Sequence, residues 1–338
     1  MKSKTKIIAL ILIAILLAST AACGSDATSQ NASVSPSQAS ESGPPSPNTS
    51  VSPSQASESI APMQVIDMDR DGNSITLPES IDTIISMGPS NTEVLAALGF
   101  ADRIIATDAY SDNIPGVDPS LAMFSMMAPD AEQIISMMPD VIFVTGMSMV
   151  GGDDPYRVVT DVGICVIYMP SSTSINGIKE DIQFMAAVLN VQERGAQLVS
   201  DMEREIERIR LIGETITEKK SVYFELAAAP FMYSLGQNTF LNEMIELIGA
   251  VNVFADQFEW LSVADEAVLD ANPDVILTSV NYIDDPVGEI LSRQGWGDVS
   301  AVSNNAVFYI DTDSSNRPSH NIVIALLQMT KAVYPDKY

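Results

Sequence analysis

Two segments of this sequence, far apart along the chain, follow almost the same pattern. The first runs from Ala131 to Ile142 and the second from Asp265 to Ile276; each has Glu at its second position and ends in Pro-Asp-Val-Ile. Because proline cannot continue a helix and Val-Ile opens an apolar, β-branched run, each segment predicts a short helix, a tight loop and a buried strand. A duplicated α/β unit predicts two lobes that face a cleft, where binding sites tend to form.

The N-terminus has the layout of a secretory signal over residues 1–22. Three lysines among the first six residues precede an apolar run from Ile7 to Leu17, which is too short for a comfortable membrane span. Small residues then lead to Cys23, an arrangement that resembles a bacterial lipobox, with Thr20 where leucine is usual. The resemblance implies that Cys23 is lipidated. The alternative is a secreted protein without lipid, in which this cysteine is incidental.

The next segment has the composition of a flexible tether. Residues 24–61 are rich in Ser, Pro, Ala, Asn and Gln and contain almost no large apolar side chains, so they cannot bury enough surface to fold. We therefore predict a lipid-anchored disordered linker over residues 23–61. Beyond it we predict an N-terminal lobe over 62–175, a connecting helical segment over 176–213 and a C-terminal lobe over 214–338.

Charge and cysteine content exclude several classes of partner and site. The formal net charge of −27 becomes −30 when the signal and its three lysines are removed, and such a surface repels nucleic acid and anionic lipid. An anionic ligand would need a local arginine pocket, for which Arg157, Arg293 and Arg317 lie in loop-like places. The only cysteine after Cys23 is Cys165, which lies in an apolar run, so no disulfide or cysteine metal cluster is available.

The remaining patterns predict α/β structure throughout. Asp71-Gly72 between two short apolar runs predicts a hairpin. Ser90 and Glu93 have the spacing of a capping box, which would start the helix that ends at Gly99. Apolar spacing from about 178 to 212 predicts a long helix that spans the lobes, with Asn190-Val191 as its break.

From Val65 to its end, the sequence resembles substrate-binding proteins of ABC importers, in the family that binds cobalamin, haem or ferric siderophores. The resemblance implies two Rossmann-like α/β lobes joined by a long rigid helix, a ligand cleft between the lobes, and a membrane permease and ATPase as partners. Four segments carry it in order: Gly88-Pro89-Ser90-Asn91-Thr92-Glu93, which is similar to the family's Ser-Pro-x-x-Thr-Glu turn; Tyr110 to Pro115; the two Glu-x6-Pro-Asp units; and Asn316-Arg317-Pro318-Ser319.

The resemblance assigns a role to the duplicated glutamates. In the family, one glutamate on the rim of each lobe docks onto arginines of the permease, and Glu132 and Glu266 hold the matching positions. Two carboxylates on equivalent elements would give a two-point, charge-assisted contact that fixes orientation. The alternative is that each glutamate only stabilises the positive N-terminal end of its own helix.

The resemblance also implies a set of ligand contacts. A corrinoid is large, flat and amphipathic, so aromatic walls with a few polar anchors suit it. Where the cobalamin-binding members carry a further tryptophan, this chain has Met126. For the aromatic residues the alternative is ordinary core packing. The candidate ligand-binding residues are Tyr110, Met126, Phe231, Trp260, Asp313 and Arg317.

Metal sites and catalysis are less well supported. The run from Asp67 to Asn73 mimics an EF-hand loop, but Pro78 stands at the closing position where a glutamate is needed. A single histidine, His320, excludes zinc or manganese sites built on several histidines and most Ser-His-Asp hydrolysis. A haem could still take Tyr110, Tyr156 or His320 as an axial ligand.

Three functional classes follow from these patterns. The first is the monomeric, lipid-anchored, extracytoplasmic binding protein of an importer, which carries a corrinoid or an iron complex and has no cofactor of its own. It would lie on the outer face of the cytoplasmic membrane or in a periplasm. The second is an enzyme, which the lack of a nucleophile, base and orienting group disfavours. The third is a surface interaction or signalling lipoprotein that keeps the fold without transport.

Overall fold

Two parallel β-sheets, one in each lobe, organise the chain. The computed structural model describes residues 66–149 and 154–338. The predicted signal, the lipidation site Cys23 and the linker over 23–61 lie outside the described residues. The part from Ile66 to Tyr338 forms one compact unit.

Strands and helices alternate in the first lobe, as the sequence predicts. Its elements are β1 (Ile84–Met87), α1 (Pro89–Ala97), β2 (Ile104–Asp108), β3 (Ala122–Phe124), α2 (Ala131–Met137), β4 (Val141–Thr145), α3 (Arg157–Asp161) and β5 (Cys165–Met169). Two helices follow, α4 (Ile175–Val188) and α5 (Gln192–Gly213).

The second lobe continues the alternation. Its elements are β6 (Ser221–Glu225), β7 (Tyr233–Leu235), α6 (Phe240–Leu247), β8 (Val251–Asn252), β9 (Trp260–Ser262), α7 (Asp265–Ala271), β10 (Val275–Thr278), α8 (Pro286–Leu291), α9 (Ser300–Ser303), β11 (Val307–Tyr309), α10 (Thr312–Asn316) and α11 (Ile322–Val333).

The sheet topology confirms the predicted α/β class. The first sheet has the order β3-β2-β1-β4-β5 and the second the order β11-β10-β6-β8, and their strands pair in parallel. Strands β7 and β9 form a separate antiparallel pair. Parallel strands are covered on both faces by helices, which explains why β1 and β4 consist entirely of buried residues.

The duplicated segments fold alike. In each, a seven-residue helix ends at a residue in the left-handed conformation, Met138 in one lobe and Asn272 in the other, before the proline and the strand. The aspartate after each proline then holds the neighbouring strand. Asp140 accepts a hydrogen bond from the backbone N–H of Thr83 at 2.8 Å, and Asp274 accepts one from that of Ser221 at 2.8 Å. The repeated Pro-Asp therefore has a structural role in both lobes.

Helix α5 joins the lobes. The predicted break before it is confirmed, since Asn190 has a positive φ of 56° and separates α4 from α5. Helix α5 packs against α4 on one side and against α6 and α11 of the second lobe on the other. In the described residues no helix has the length and apolar character that a membrane crossing requires.

One apolar core runs through both lobes. It includes Leu95 of α1, Met202 and Ile209 of α5, and Leu277 and Leu326 of the second lobe. The side chains of α5 thus connect the packing of the two sheets.

The end of α5 offers a test of this packing. Gly213, its last residue, lies so close to the α6–β8 turn that an added Cβ would meet the carbonyl oxygen of Leu247 and approach the nitrogen of Gly249 to 3.0 Å. We expect Gly213→Ala to lower the free energy of unfolding by about 1–3 kcal/mol, because backbone must move to admit the methyl group. Urea denaturation would measure it. Gly297→Ala, with nothing within 4 Å of the added atom, should change stability by less than about 0.5 kcal/mol; equal losses in both variants would contradict the argument.

The predicted capping box is wrong. Helix α1 begins at Pro89 with Gly88 as its N-cap, and no side chain caps it. The chain leaves β1 so close to the helix that Ser90 is already inside the first turn, and Glu93 points to the other lobe instead.

The hairpin prediction is confirmed: Met68 and Ser74 form an antiparallel bridge, and Asp69 accepts hydrogen bonds from the turn rather than forming part of an EF-hand.

Candidate ligand-binding site

The carboxyl ends of the two sheets meet. Arg317, which follows β11 and α10 in the second lobe, donates hydrogen bonds to the carbonyl oxygen of Tyr110 at 3.0 Å and to Oδ1 of Asn113 at 3.3 Å, both in the loop after β2. Asn113 in turn donates to Oδ2 of Asp313 at 2.6 Å. In open α/β sheets, ligands bind outside the carboxyl ends of the strands. These contacts therefore join the two edges where a ligand is expected.

A buried carboxylate of the first lobe accepts three hydrogen bonds from the second lobe. Glu93 has a side chain only 6% exposed, and its oxygens accept hydrogen bonds from Arg317 at 2.9 Å, from Asn321 at 2.9 Å and from the hydroxyl of Ser319. Arg317, 11% exposed, also pairs with Asp313 at 2.7 Å. The guanidinium thus lies between two carboxylates, one from each lobe.

A second arginine at the sheet edge is paired in the same way. Arg293 bonds both oxygens of Glu225, the last residue of β6, at 2.9 and 3.1 Å, and also contacts Glu289. Its guanidinium lies 4.3 Å from the ring centroid of the buried Trp296. Burial raises the pKa of Glu225, although its hydrogen bonds with Arg293 act in the opposite direction. Burial would lower the pKa of Arg293, but the two carboxylates reverse this and raise it.

A buried polar network fixes the loop that carries Tyr110. Asp108 ends β2 and accepts hydrogen bonds from the hydroxyl of Ser111 at 2.5 Å and from the backbone N–H of Tyr110 at 2.7 Å. Burial raises the pKa of Asp108, while these hydrogen bonds lower it. Thr92 connects the same loop to β1, since its hydroxyl contacts Ser111 at 3.0 Å and Ser86 at 2.7 Å.

Aromatic side chains lie exposed on both lobes near these edges. Tyr110 is exposed on the first lobe and Phe231, in the turn after β6, on the second. Tyr282, after β10, is also exposed, and its hydroxyl accepts a hydrogen bond from the N–H of Ala228 at 2.8 Å, which joins the two loops. Trp260 is half-buried and meets the ring of Phe240 edge-on, with centroids 6.3 Å apart.

The structure brings only some of the predicted ligand residues into contact. Tyr110, Asp313 and Arg317 form one connected group. Met126 is half-buried and lies two residues after Phe124. The carbonyl of Phe124 accepts a hydrogen bond from the N–H of Ala109, the residue before Tyr110, so Met126 and Tyr110 lie along the same edge. Phe231 and Trp260 come from the turn and the hairpin that follow β6. Their role in binding stays a prediction.

Sequence reasoning missed three residues at these edges. Glu93 was assigned to a helix cap, although it stands in a segment quoted for the family resemblance. Asn113 also stood in such a segment and received no role. Tyr282 follows a predicted strand, and its position at the carboxyl end of β10 was the available signal.

The duplicated glutamates remain unpartnered in the described parts of both lobes. Glu132 and Glu266 are exposed in the first turns of α2 and α7, with no hydrogen bond or ion pair to another described residue. Each helix runs antiparallel to the strand that follows it, so both carboxylates lie on the rim at the carboxyl side of their sheets.

The candidates for a haem axial ligand differ in access. Tyr156 is completely buried in the first lobe, and burial raises its pKa. His320 lies just before α11, with its Nδ1 buried and without a partner among the described residues, and burial lowers its pKa. Of the three, Tyr110 is the exposed side chain.

A groove of about 510 Å³ lies away from these edges, where α4, α5 and α6 meet. It includes Lys179, Arg210 and Glu246. Lys179 is paired with Glu203 at 2.8 Å and Arg210 with Glu207 at 2.7 Å, so two of its three cations already have partners, whereas Lys219 forms no ion pair with the described residues. The chemistry of the strand edges makes them the better candidate for the ligand.

Comparison with known proteins identifies the class of protein to which this fold belongs. The sequence profile of the periplasmic binding protein family matches residues 84–314. The ABC transporter substrate-binding lipoprotein YvrC of Bacillus subtilis is 28% identical over 80% of this chain and 85% of its own length. The vitamin B12-binding protein of Vibrio cholerae is 26% identical over 75% of this chain and 89% of its own.

Solved structures give the same result. A protein of Staphylococcus epidermidis, described as a possible iron-binding periplasmic solute-binding protein, superposes with a TM-score of 0.67 at 26% identity, over 76% of this chain and all of the other. This class of protein binds ligands for transport and does not catalyse reactions. On the match of the family profile and the two-lobed fold, the chain belongs to the periplasmic binding protein family.

Proposed function

We propose that this protein is the lipid-anchored, extracytoplasmic substrate-binding component of an ABC importer, which captures a corrinoid or an iron complex between its lobes and delivers it to a permease. The observation that carries the proposal is the meeting of the two sheet edges at Tyr110, Asn113, Asp313 and Arg317. Family membership supports it, because in this class the ligand site is formed by both lobes.

The chemistry of the edges suits a large amphipathic ligand. Exposed rings at Tyr110, Phe231 and Tyr282 offer apolar faces, and the polar group around Arg317 offers anchors. Trp260 extends the aromatic set on the second lobe. A ligand with a flat apolar body and polar edges is the class that such a surface binds best.

The anchor and the permease contact belong to the same proposal. Cys23 follows the signal segment and is the residue to be lipidated, and the B. subtilis relative is described as a lipoprotein. Glu132 and Glu266 are the docking residues, which their exposure at equivalent points of the two lobes supports. The protein acts as a monomer with the permease and ATPase complex as its partner.

The ligand site is tested by calorimetric titration of the protein with cyanocobalamin, haemin and a ferric siderophore. One of them should bind one-to-one and without turnover. Trp260→Ala should then weaken that ligand about ten- to a hundredfold, because a stacking aromatic is lost from a desolvated wall. Trp260→Phe keeps an aromatic face and serves as the matched variant, with binding within about threefold of wild type.

Thermal unfolding of the free proteins separates binding from folding. Because Trp260 also packs against Phe240 in the core, Trp260→Ala should lower the melting temperature but leave the protein folded at the temperature of the titration. Wild-type affinity together with a much lower melting temperature would show that Trp260 is a core residue and that the site lies elsewhere.

A further inference from the structure

Two arginines at the cleft edges, Arg317 and Arg293, are each paired with more than one carboxylate of the described residues. The guanidinium of Arg317 lies between Glu93 and Asp313, and that of Arg293 lies between Glu225 and Glu289. Each cluster therefore has two carboxylates for one cation. Asp108 adds a further buried carboxyl group beside Tyr110.

An anionic ligand would need an arginine to bind it, and the two arginines at the edges are committed. To reach Arg317, such a ligand would have to displace Asp313, the more exposed of its two partners, and its negative charge would then lie beside the buried carboxylate of Glu93. Arg293 is still less accessible, since its side chain is 7% exposed and lies over Trp296. Arg157, at the start of α3, is exposed, but it is one cation against the excess of carboxylates.

We propose that this cleft selects a ligand of zero or positive net charge, a corrinoid, and rejects anionic iron chelates. The inference rests on the proposed function and narrows it to one ligand class. A neutral or cationic corrinoid presents apolar faces to the aromatic rings and amide groups to the partly exposed Asp313, and the negative charge of its phosphate is balanced within the molecule. Haemin carries two propionates, and a ferric tris-catecholate carries three negative charges.

Four ligands of graded charge test the proposal on the intact protein. They are aquacobalamin, cyanocobalamin, haemin and a ferric tris-catecholate, which carry one positive, zero, two negative and three negative charges. At low salt we expect the dissociation constant to rise along this series, by roughly tenfold between cyanocobalamin and haemin. In 0.5 M salt the difference should shrink, because screening weakens interactions between charges.

Charge-neutralising variants of the Arg317 cluster give the second arm. Glu93→Gln keeps an acceptor for Arg317 and removes one negative charge, and Asp313→Asn does the same on the more exposed side of the cluster. Either change should improve the affinity for haemin relative to cyanocobalamin by about five- to tenfold. Glu218→Gln is the matched control, since Glu218 is exposed before β6 at the opposite edge of the sheet, and it should leave the ratio unchanged.

The outcomes separate this inference from the proposed function. If haemin or the tris-catecholate binds at least as tightly as cyanocobalamin, the charge selection is overturned and the importer function stands; loss of that binding in Arg157→Ala would then identify the cation responsible. If none of the four ligands binds, both proposals fail. An unchanged ratio in Glu93→Gln and Asp313→Asn would also overturn the charge argument.

Discussion

Replacement of Arg293 by methionine will lower the free energy of unfolding by about 3–5 kcal/mol, the cost of breaking a buried ion pair from one side. Glu225 is 1% exposed and relies on Arg293 for its counter-charge, and Glu289 loses the same partner. Methionine fills most of the space of the arginine stem, so lost volume contributes little. Urea denaturation followed by circular dichroism measures the change.

A matched variant shows whether burial is the cause. Arg208→Met removes the same kind of side chain from an exposed pair with Glu205 on α5, where the arginine is 49% exposed. Exposed pairs contribute up to about 1 kcal/mol, so this variant should remain close to wild type. A loss in Arg293→Met no larger than that in Arg208→Met would show that the buried cluster does not hold the second lobe together.

Reversal of both rim glutamates, Glu132→Arg with Glu266→Arg, is expected to abolish uptake while the ligand affinity stays within about twofold of wild type. Each carboxylate lies in the first turn of an equivalent helix and forms no hydrogen bond or ion pair with the described residues of the strand-edge contacts. A like-charge contact with a permease arginine costs several kcal/mol, so two reversals should weaken docking by more than about a hundredfold. Ligand uptake by cells and stimulation of ATPase activity in reconstituted permease measure the effect.

The control for this experiment changes the net charge by the same amount. Glu218→Arg with Asp336→Arg alters two exposed carboxylates outside the cleft side of the lobes. This pair should leave uptake at the wild-type level. Transport that survives the reversal of Glu132 and Glu266 would exclude docking and leave these glutamates as helix N-terminal charges.

The fold was accessible from the sequence because its signals are local. In both duplicated segments the proline ends the helix and the β-branched run starts the strand within a dozen residues, and the structure confirms each unit. The break at Asn190 was likewise predicted from its immediate neighbours. The role of the repeated aspartates could not be predicted in this way, because Asp140 and its partner Thr83 are 57 residues apart in the sequence.

The site could be predicted only in outline because its contacts join distant parts of the chain. Glu93 fits a local capping pattern, but in the structure it pairs with Arg317, which is 224 residues away. The burial of both side chains favours this ion pair over a helix cap. Asp313 and Arg317 were expected as anchors for a ligand. Their contacts with Asn113 and Glu93 became visible only when the two sheet edges were placed together.

The shared core under α5 has a consequence for how the protein can be divided. Met202 and Ile209 belong to an apolar cluster that includes side chains of both sheets, so separating the lobes would expose one packed face of each sheet, although each lobe also has a smaller cluster of its own. The lobes therefore unfold as one cooperative unit, and damage to one is transmitted to the stability of the other. A lobe exchanged between relatives would fold correctly only if the side chains of α5 were exchanged to match it.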